Sequence, residues 1–198
     1  MDDIVKQAIA KWPNVPHCYG WLGLDARGNW RMRDERAQHL NLPGDKLTNG
    51  ALVAFITRNY GCDERGCWYF QNGPQRVYVN LEATPYIARS EPGHGYLLHT
   101  GAPLGAIDSA WLTDAGALIV RSGAIVAQLD DRDMAQAIDA MTLDGAPVRD
   151  DDLLAWLDTP RDGALALHIG EQRVAIGTLA HAALAGQFGY VPTPAPAN

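Results

Sequence analysis

Two cysteines, Cys62 and Cys67, flank a short turn and have the clearest capacity for chemistry. The turn is residues 63–66, Asp-Glu-Arg-Gly. Thiols facing each other across such a hairpin would lie close enough to form a disulfide, or to hold zinc with Cys18 and His17. C-x4-C is not a usual zinc spacing, and free cysteines are often inert buried side chains. Unreactive thiols, a redox-labile pair and a metal site remain three alternatives, and we expect no resident metal or cofactor.

A Gln-Arg pair occurs twice, as Gln75-Arg76 and as Gln172-Arg173. If a pseudo-two-fold axis relates the two halves of the chain, both arginines would face a shared cleft. Two guanidinium groups there would clamp a carboxylate or a phosphate. The alternative is that each arginine lies on the polar side of its strand and pairs with a local acid. These four residues are the candidate ligand-binding set.

The histidines and the glycines form no recognised catalytic or cofactor motif. The six histidines show no H-E-x-x-H pattern, and His94 and His99 lie five residues apart. The chain has no G-x-G-x-x-G between a strand and a helix, no P-loop and no G-x-S-x-G turn. No catalytic residue is therefore predicted. An enzyme that uses Cys62, Cys67 or a histidine stays as an alternative.

Composition restricts the partners of the chain. Its 198 residues carry a formal net charge of −7, which argues against nucleic-acid binding because phosphate contacts need a basic face. No apolar run reaches the ~18–20 residues of a membrane span, and the acidic start Met1-Asp2-Asp3 is unlike a signal peptide. An odd count of three cysteines is unlike a secreted disulfide scaffold. We therefore expect a cytoplasmic protein that contacts neither nucleic acid nor membrane.

The chain contains an internal duplication. Residues 73–79 (Gly-Pro-Gln-Arg-Val-Tyr-Val) match residues 170–176 (Gly-Glu-Gln-Arg-Val-Ala-Ile) at four of seven positions. Trp-Leu begins a similar stretch at Trp21 and at Trp111, and these stretches reach Gly28 and Gly116. The matches occur in the same order in both halves. They predict two structurally related repeats, each with its own apolar strands.

The hydrophobic pattern gives the repeat an order of roughly ββαββ. Two strands around residues 25–28 precede a helix that begins after Asn49, and a second hairpin turns at residues 72–73. The fold class is therefore α+β with mostly antiparallel sheets. The expected divisions are an N-terminal helix and linker (1–16), repeat 1 (17–90), a Gly-rich connector (91–105), repeat 2 (106–190) and a disordered Pro-rich tail (191–198).

The first half resembles a known family. The carrying motifs are Val-Lys-Gln-Ala at 5–8, Lys-Trp-Pro-Asn-Val-Pro at 11–16, Cys-Tyr-Gly-Trp-Leu at 18–22 and Trp-Tyr-Phe-Gln-Asn-Gly-Pro-Gln-Arg-Val-Tyr-Val at 68–79. They resemble an uncharacterised proteobacterial family, a domain of unknown function, mainly over residues 4–90. Residues 144–149, Asp-Gly-Ala-Pro-Val-Arg, resemble a second uncharacterised bacterial family. That resemblance implies repeated α+β motifs and a signalling role.

Taken together, these features predict a non-enzymatic module that binds a small molecule or a protein and has a regulatory or signalling role. The alternative is an interaction protein that forms a homodimer. It would associate through an open sheet edge or through an amphipathic N-terminal helix whose apolar face includes Ile4, Ile9 and Trp12. Loss of association when these residues are made polar would identify that alternative.

Overall fold

The computed structural model describes residues 1–93 and 95–196 and divides them between two units. The first unit contains Met1–Pro85 and the C-terminal residues from Phe188 onward, and the second contains Tyr86–Gln187. Both units combine helices with mostly antiparallel strands, which confirms the predicted α+β class. His94 and the last two residues of the predicted tail, 197 and 198, lie outside the described residues.

The first unit is built around one sheet with the strand order β3-β2-β1-β6-β5-β4. The predicted N-terminal helix is α1. Its elements are α1 Asp3–Lys11, β1 Cys18–Leu24, β2 Trp30–Met32, α2 Glu35–His39, β3 Asp45–Lys46, α3 Gly50–Arg58, β4 Tyr60–Cys62, β5 Trp68–Asn72 and β6 Gln75–Leu81.

The second unit has a longer sheet, with the order β13-β12-β14-β15-β9-β10-β11-β7-β8. Short 3₁₀ turns precede α4 and α6, and α6 ends at the first residue that returns to unit 1. Its elements are β7 Tyr86–Glu91, β8 Gly95–Leu98, β9 Ser109–Thr113, β10 Leu118–Ser122, β11 Ile125–Leu129, α4 Met134–Asp139, β12 Met141–Leu143, β13 Ala146–Pro147, α5 Asp150–Asp158, β14 Leu165–Ile169, β15 Gln172–Leu179 and α6 Leu184–Phe188.

The two sheets share one six-stranded plan. In unit 1 the order is β3-β2-β1-β6-β5-β4, and in unit 2 the same positions are taken by β11-β10-β9-β15-β14-β12. In both sheets the central pair is parallel, β1 with β6 and β9 with β15, and the flanking pairs are antiparallel. Strands β7, β8 and β13 extend the second sheet at its two edges. The topology supports the duplication that the sequence predicts.

The register of the central strands corrects the residue match that the sequence suggested. Gly23 pairs with Asn80 in unit 1, and Trp111 pairs with Gly177 in unit 2. Trp111 is therefore the counterpart of Gly23 and not of Trp21. The reason is an irregularity in β1 before Leu22, which shifts the pairing with β6.

Local sequence signals explain the elements that were predicted. Asp25 closes the β1–β2 turn by accepting hydrogen bonds from the backbone N–H groups of Arg27 (3.0 Å) and Asn29 (2.8 Å). Asn49 caps α3 because its Oδ1 accepts from the N–H of Leu52 at 3.0 Å. Each signal is read within four residues of chain, so the sequence alone is sufficient to find it.

The tail predicted to be disordered is ordered over residues 191–196. Val191 donates its N–H to the carbonyl of Gly66 at 2.9 Å, and Leu81 donates to the carbonyl of Pro192 at 2.8 Å. Val191 also packs against a cluster that contains Tyr78. Chain ends are ordered where packing and hydrogen bonds hold them, and here both do. We call residues 189–196 the C-terminal segment.

Across the described residues, no helix combines the length and the hydropathy that a membrane crossing requires.

Candidate functional site

Strand β6 provides one face on which Arg76, Tyr78 and Asn80 lie together, because alternate residues of a strand share a face. The pattern predicts this face to be open, yet Tyr78 is only 2% exposed. The C-terminal segment lies over it. Thr193 lines a pocket at the Asn80 end, and Pro196 lines another at the Arg76 end.

The pocket at the Arg76 end has a volume of about 510 Å³. We call it the Arg76 pocket. Arg76 lies over the ring of Tyr69, with 4.5 Å between Cζ and the ring centroid. Tyr19 and Tyr78 stack at 4.6 Å between centroids. The guanidinium of Arg76 is therefore in contact with aromatic faces, a favourable arrangement for a cation. The lining residues are His17, Tyr19, Asp63, Glu64, Arg65, Arg76, Tyr78 and Pro196.

A buried carboxylate, Asp63, organises this pocket. It accepts hydrogen bonds from the hydroxyl of Tyr78 (2.9 Å) and the N–H of Cys67 (2.9 Å), and it pairs with Arg65 at 3.3 Å. Burial raises the pKa of Asp63, but these hydrogen bonds outweigh burial and hold the pKa below its usual value. Arg65 also donates to the carbonyl of Ala195 at 3.3 Å. The polar groups here are used to hold the C-terminal segment.

Gln75 and Gln172 make equivalent hydrogen bonds to backbone groups in their two units. Gln75 donates its amide to the carbonyl of Pro16 at 2.9 Å. Gln172 donates to the carbonyl of Ile107 at 2.6 Å and accepts from its N–H at 3.3 Å. The side chain of Gln75 thus links β6 to the residues that precede β1, and that of Gln172 links β15 to the residues that precede β9. The repetition of glutamine is explained by strand alignment, and its amide groups are directed to backbone rather than to a ligand.

Arg173 lies in the second unit, and its surroundings differ from those of Arg76. It is exposed and donates to the carbonyl of Gly163 at 3.1 Å. It borders a depression of about 470 Å³ that also contains Trp111 and Gly177. Arg76 and Arg173 each line a pocket within their own unit. A cleft shared by both arginines stays a prediction.

Sequence analysis missed a second pocket in unit 1, at the Asn80 end of the β6 face. Its volume is about 430 Å³, and we call it the Arg33 pocket. Polar and apolar residues both line it. Gly23 of β1 has no side chain and therefore leaves this part of the strand open to the pocket. The lining residues are Gly23, Leu24, Asp25, Arg31, Arg33, Asn41, Leu42, Pro43, Asn80, Leu81, Glu82 and Thr193.

Arg33 is the unusual member of this pocket because it is 7% exposed. Its Nε donates to the carbonyl of Leu42 at 3.0 Å, and Nη2 donates to Oδ1 of Asn41 at 3.2 Å. A guanidinium has five N–H donors, so most of its donor capacity is unused. Among the residues that the structure describes, no carboxylate lies within 4.0 Å of it. Arg33 is therefore a buried cation whose guanidinium has no counter-ion in residues 1–93 and 95–196.

The neighbouring Arg31 is fully neutralised. Its Nη2 lies 2.8 Å from Oδ2 of Asp25, and its Nε donates to the same oxygen at 2.8 Å. Burial raises the pKa of Asp25, but hydrogen bonds from Asn29 and Arg31 outweigh burial and lower the pKa. Asp25 is thus ionised at neutral pH and matched to Arg31. Among the described residues that line the pocket, Arg33 is thus the guanidinium without a carboxylate within 4.0 Å, and the second lining carboxylate, Glu82, is exposed.

A short loop after α2 covers Arg33. Asn41 adopts a left-handed backbone with φ of 49°, a conformation that asparagine tolerates better than most residues. Gly44 has φ of 83°, and a Cβ atom there would lie 2.2 Å from the carbonyl of Met32. Only glycine fits at this position. The loop is therefore fixed in the conformation that buries the guanidinium, although no local motif marks Arg33 in the sequence.

The cysteines do not form the pair that the sequence suggested. Cys62 pairs with Trp68 across β4 and β5, while Cys67 lies opposite Asp63. Adjacent strand positions point to opposite faces, so Cys62 is exposed and Cys67 is buried. Although Cys62 is exposed as a residue, partial desolvation of its thiol raises the pKa to about 11, and the charge of Asp63 adds to this effect. No group of three or more metal-ligating side chains occurs within residues 1–93 and 95–196.

His99 is a half-buried residue of the second unit whose ring packs beside Tyr86. Its Nδ1 accepts a hydrogen bond from the N–H of Ile87 at 3.3 Å, and its ring lies 5.9 Å from that of Tyr86. Burial lowers the pKa of His99 to about 4, so it is neutral at physiological pH. It borders neither the Arg33 pocket nor the Arg76 pocket.

Comparisons with known proteins complete this description. The model of the family DUF2944, described as "Protein of unknown function (DUF2946)", matches residues 1–195. No curated protein matches the chain. Among solved structures, the chain is similar to a DUF1285 family protein from Silicibacter pomeroyi DSS-3, with TM-score 0.47, 15% identity, and coverage of 88% of this chain and 94% of that chain. It is also similar to a DUF1285 family protein from Shewanella baltica OS155, with TM-score 0.40, 14% identity, and coverage of 59% and 88%.

Proposed function

As the chain belongs to the DUF2944 family, whose function is unknown, we propose from its own residues that it is a non-enzymatic binding module whose first unit binds a small anion beside Arg33. The family match confirms the resemblance to an uncharacterised family and extends it from residues 4–90 to residues 1–195. The observation that carries the proposal is the buried Arg33 guanidinium, which has no carboxylate partner among the described residues.

Physical chemistry favours an occupant for such a site. An uncompensated buried charge costs several kcal/mol, and protein structures normally pair it or hydrogen-bond it fully. Arg33 has unused donors at the edge of a 430 Å³ cavity. A planar guanidinium matches the two oxygens of a carboxylate or of a phosphate. An anion in the cavity would supply the missing counter-charge.

Thermal unfolding in the presence of small anions tests the proposal. Acetate, lactate, phosphate and sulfate would be added at constant ionic strength, with chloride as reference, because general screening also changes stability. A ligand that binds only the native state raises Tm, by about 2.7 kcal/mol of added stability at 100 times Kd. We expect at least one of these anions to raise Tm of the unmodified protein.

Matched arginine variants assign the effect to the site. Arg33→Met removes the charge and is expected to abolish the Tm increase, while Arg33→Lys keeps the charge and retains part of it. Arg121→Met is the control, because Arg121 lies in β10, the strand of unit 2 equivalent to β2, but is exposed. An anion-dependent increase that persists unchanged in a folded Arg33→Met variant would contradict the proposal.

One observation favours the interaction alternative. Helix α1 leaves Ile4 72% exposed and Trp12 51% exposed. Large exposed apolar side chains on one element are typical of an interaction surface. A homodimer through α1 therefore stays a prediction, which sedimentation of the Ile4→Asp variant beside the unmodified protein would test. The cytoplasmic location also stays a prediction, open to cell fractionation.

A further inference from the structure

We infer that the ligand of the Arg33 pocket is a small α-amino acid, bound by its carboxylate at Arg33 and by its ammonium group at Asn80. This inference rests on the proposed anion-binding function and names the ligand class of the same site. It adds a requirement that anion binding alone does not have, because the ligand must carry a hydrogen-bond donor as well as a negative charge.

The donor requirement comes from Asn80. Its Oδ1 is buried and finds no hydrogen-bond donor among the described residues. A buried acceptor without a partner is unfavourable, and a bound N–H or O–H group removes that cost. Asn80 lines the same pocket as Arg33. We therefore place the ligand at the unused donors of Arg33, and a turn of the Asn80 side chain into the pocket would present its unused acceptor to the same ligand.

Gly23 places these two residues within reach of one small molecule. A methyl group at Gly23 would lie 3.6 Å from the backbone carbonyl oxygen of Asn80 and 3.7 Å from Cδ of Arg33. Both residues thus border the space that a side chain at Gly23 would fill. An α-amino acid carries its carboxylate and its ammonium group on one carbon atom, which suits two partners at such short range.

Charge favours a zwitterion over a phosphate dianion. Arg31 is neutralised by Asp25, so one guanidinium remains for the ligand. Glu82 also lines the pocket and is exposed. Its carboxylate repels a second negative charge and attracts an ammonium group. The balance of one free cation, one free acceptor and one nearby carboxylate matches a zwitterion with no net charge.

Apolar lining limits the side chain of the ligand. Leu42 and Pro43 of the covering loop supply apolar groups to the pocket, while the side chains of Leu24 and Leu81 point to the opposite face of the sheet. A short branched aliphatic side chain gains contact with Leu42 and Pro43. The cavity is large enough for a free amino acid and too small for a folded partner.

Calorimetric titration with four matched compounds tests the class. L-valine carries both groups, 3-methylbutanoate lacks the ammonium group, 2-hydroxy-3-methylbutanoate replaces it with a hydroxyl, and L-valinamide lacks the carboxylate. We expect L-valine to bind most tightly. Loss of the ammonium group should weaken binding ~10-fold and loss of the carboxylate ~30-fold, as for one hydrogen bond to a charged group and one charge-assisted bidentate pair.

Two variants assign the contacts. Asn80→Leu keeps the size of the side chain and removes the acceptor, so it should weaken L-valine ~10-fold and leave 3-methylbutanoate unchanged. Arg33→Lys should weaken both acids. Equal affinity for L-valine and 3-methylbutanoate would overturn the amino-acid inference and leave anion binding in place. The same holds if phosphate binds and no carboxylate does. Absence of binding by every anion would overturn both proposals.

Discussion

The two units differ most at one equivalent pair of strand positions. In unit 1, Gly23 lies beside Asn80, and the face above them is the floor of the Arg33 pocket. In unit 2, Trp111 lies beside Gly177, and the indole covers the strand so closely that a Cβ at Gly177 would lie 3.2 Å from it. The glycine is on the first strand of the central pair in unit 1 (Gly23) and on the second in unit 2 (Gly177), and the larger residue is on the other strand in each unit. At this point of the duplicated scaffold a glycine borders the Arg33 pocket in unit 1, whereas in unit 2 an indole ring borders the depression of about 470 Å³.

Two arginines at equivalent places in the units also differ: Arg33 directly follows β2, and Arg121 lies in β10. Arg33 is 7% exposed beneath the Asn41–Gly44 loop, while its counterpart Arg121 is exposed and donates to the carbonyl of Gly123 at 2.9 Å. The same residue type serves as a surface side chain in one unit and as a buried cation in the other. Burial by the loop, together with the space at Gly23, distinguishes the surroundings of Arg33 from those of Arg121.

The largest effect on binding is expected when the tryptophan–glycine pair of unit 2 replaces Gly23 and Asn80 in unit 1. The double variant Gly23→Trp, Asn80→Gly copies the arrangement of unit 2. We expect the indole to occupy the Arg33 pocket and to reduce ligand affinity by at least ~100-fold, or about 2.7 kcal/mol, while the fold persists. Calorimetry with circular dichroism would measure both. Asn80→Gly alone is the control, since it leaves the cavity open and loses only the Asn80 acceptor, at a cost of ~10-fold. A double variant that binds as well as Asn80→Gly would refute the role of the space at Gly23.

Acid should affect the two units in different pH ranges. His99 in unit 2 has a folded pKa of about 4 against 6.5 for an unperturbed histidine. A depressed folded pKa means that stability is complete above pH 6.5 and is lost as the pH falls toward 4, by up to about 3 kcal/mol. Asp25 and Asp63 in unit 1 also have lowered pKa values, so their contribution is lost only below about 3.8, their unperturbed pKa.

Pulsed hydrogen exchange after incubation at each pH would follow the two units separately. Between pH 6.5 and 4, peptides from residues 86–187 should lose protection before peptides from residues 18–81. His99→Gln should remove most of this pH dependence. Loss of protection in the first unit at the higher pH would show that the burial of His99 does not govern acid stability.

Removal of the C-terminal segment should destabilise unit 1 to a smaller extent. Deletion of residues 191–198 exposes the Tyr78 face and removes the hydrogen bonds to Leu81 and Gly66. We expect a loss of about 1–3 kcal/mol, from apolar area and two hydrogen bonds, measured by urea unfolding. Pro192→Ala is the matched control, because it keeps the carbonyl that accepts from Leu81. An unchanged unfolding midpoint in the deleted protein would contradict the packing role of the segment.

The repeated glutamines should give the smallest effect, and their two effects should differ. Gln172 makes two hydrogen bonds to Ile107, whereas Gln75 makes one to Pro16. We expect Gln172→Ala to cost about 1 kcal/mol and Gln75→Ala about half of that in urea unfolding. Gln7→Ala, an exposed substitution on α1, supplies the reference. Ligand affinity should stay constant in all three, and a lower affinity in Gln75→Ala would restore that residue as a binding candidate.

Turns, helix caps and strands depend on a few consecutive residues and could be predicted from the sequence. The burial of Tyr78 and of Arg33 depends on contacts with distant residues and could not. The turn at Asp25 and the cap at Asn49 identified strands and a helix, and the matching segments 73–79 and 170–176 identified the duplication. The alternation of β6 predicts that Tyr78 lies on an open face, but residues more than 100 positions later cover it. Arg33 stands in the charged stretch Arg-Met-Arg-Asp-Glu-Arg, which is typical of an exposed segment. Its burial depends on the loop that ends at Gly44.

The most direct test is nuclear magnetic resonance of the side-chain N–H groups during titration with L-valine. The chemical shifts of both units are measured in one sample, so Arg121 and Gly177 of unit 2 serve as internal controls for their counterparts Arg33 and Asn80. The account predicts saturable shifts at Arg33 Nε, the Asn80 amide and the Gly23 backbone, with Arg121, Trp111 and Gly177 unchanged. Resonances of Arg33 and Asn80 that do not move, or equal shifts in the second unit, would contradict it.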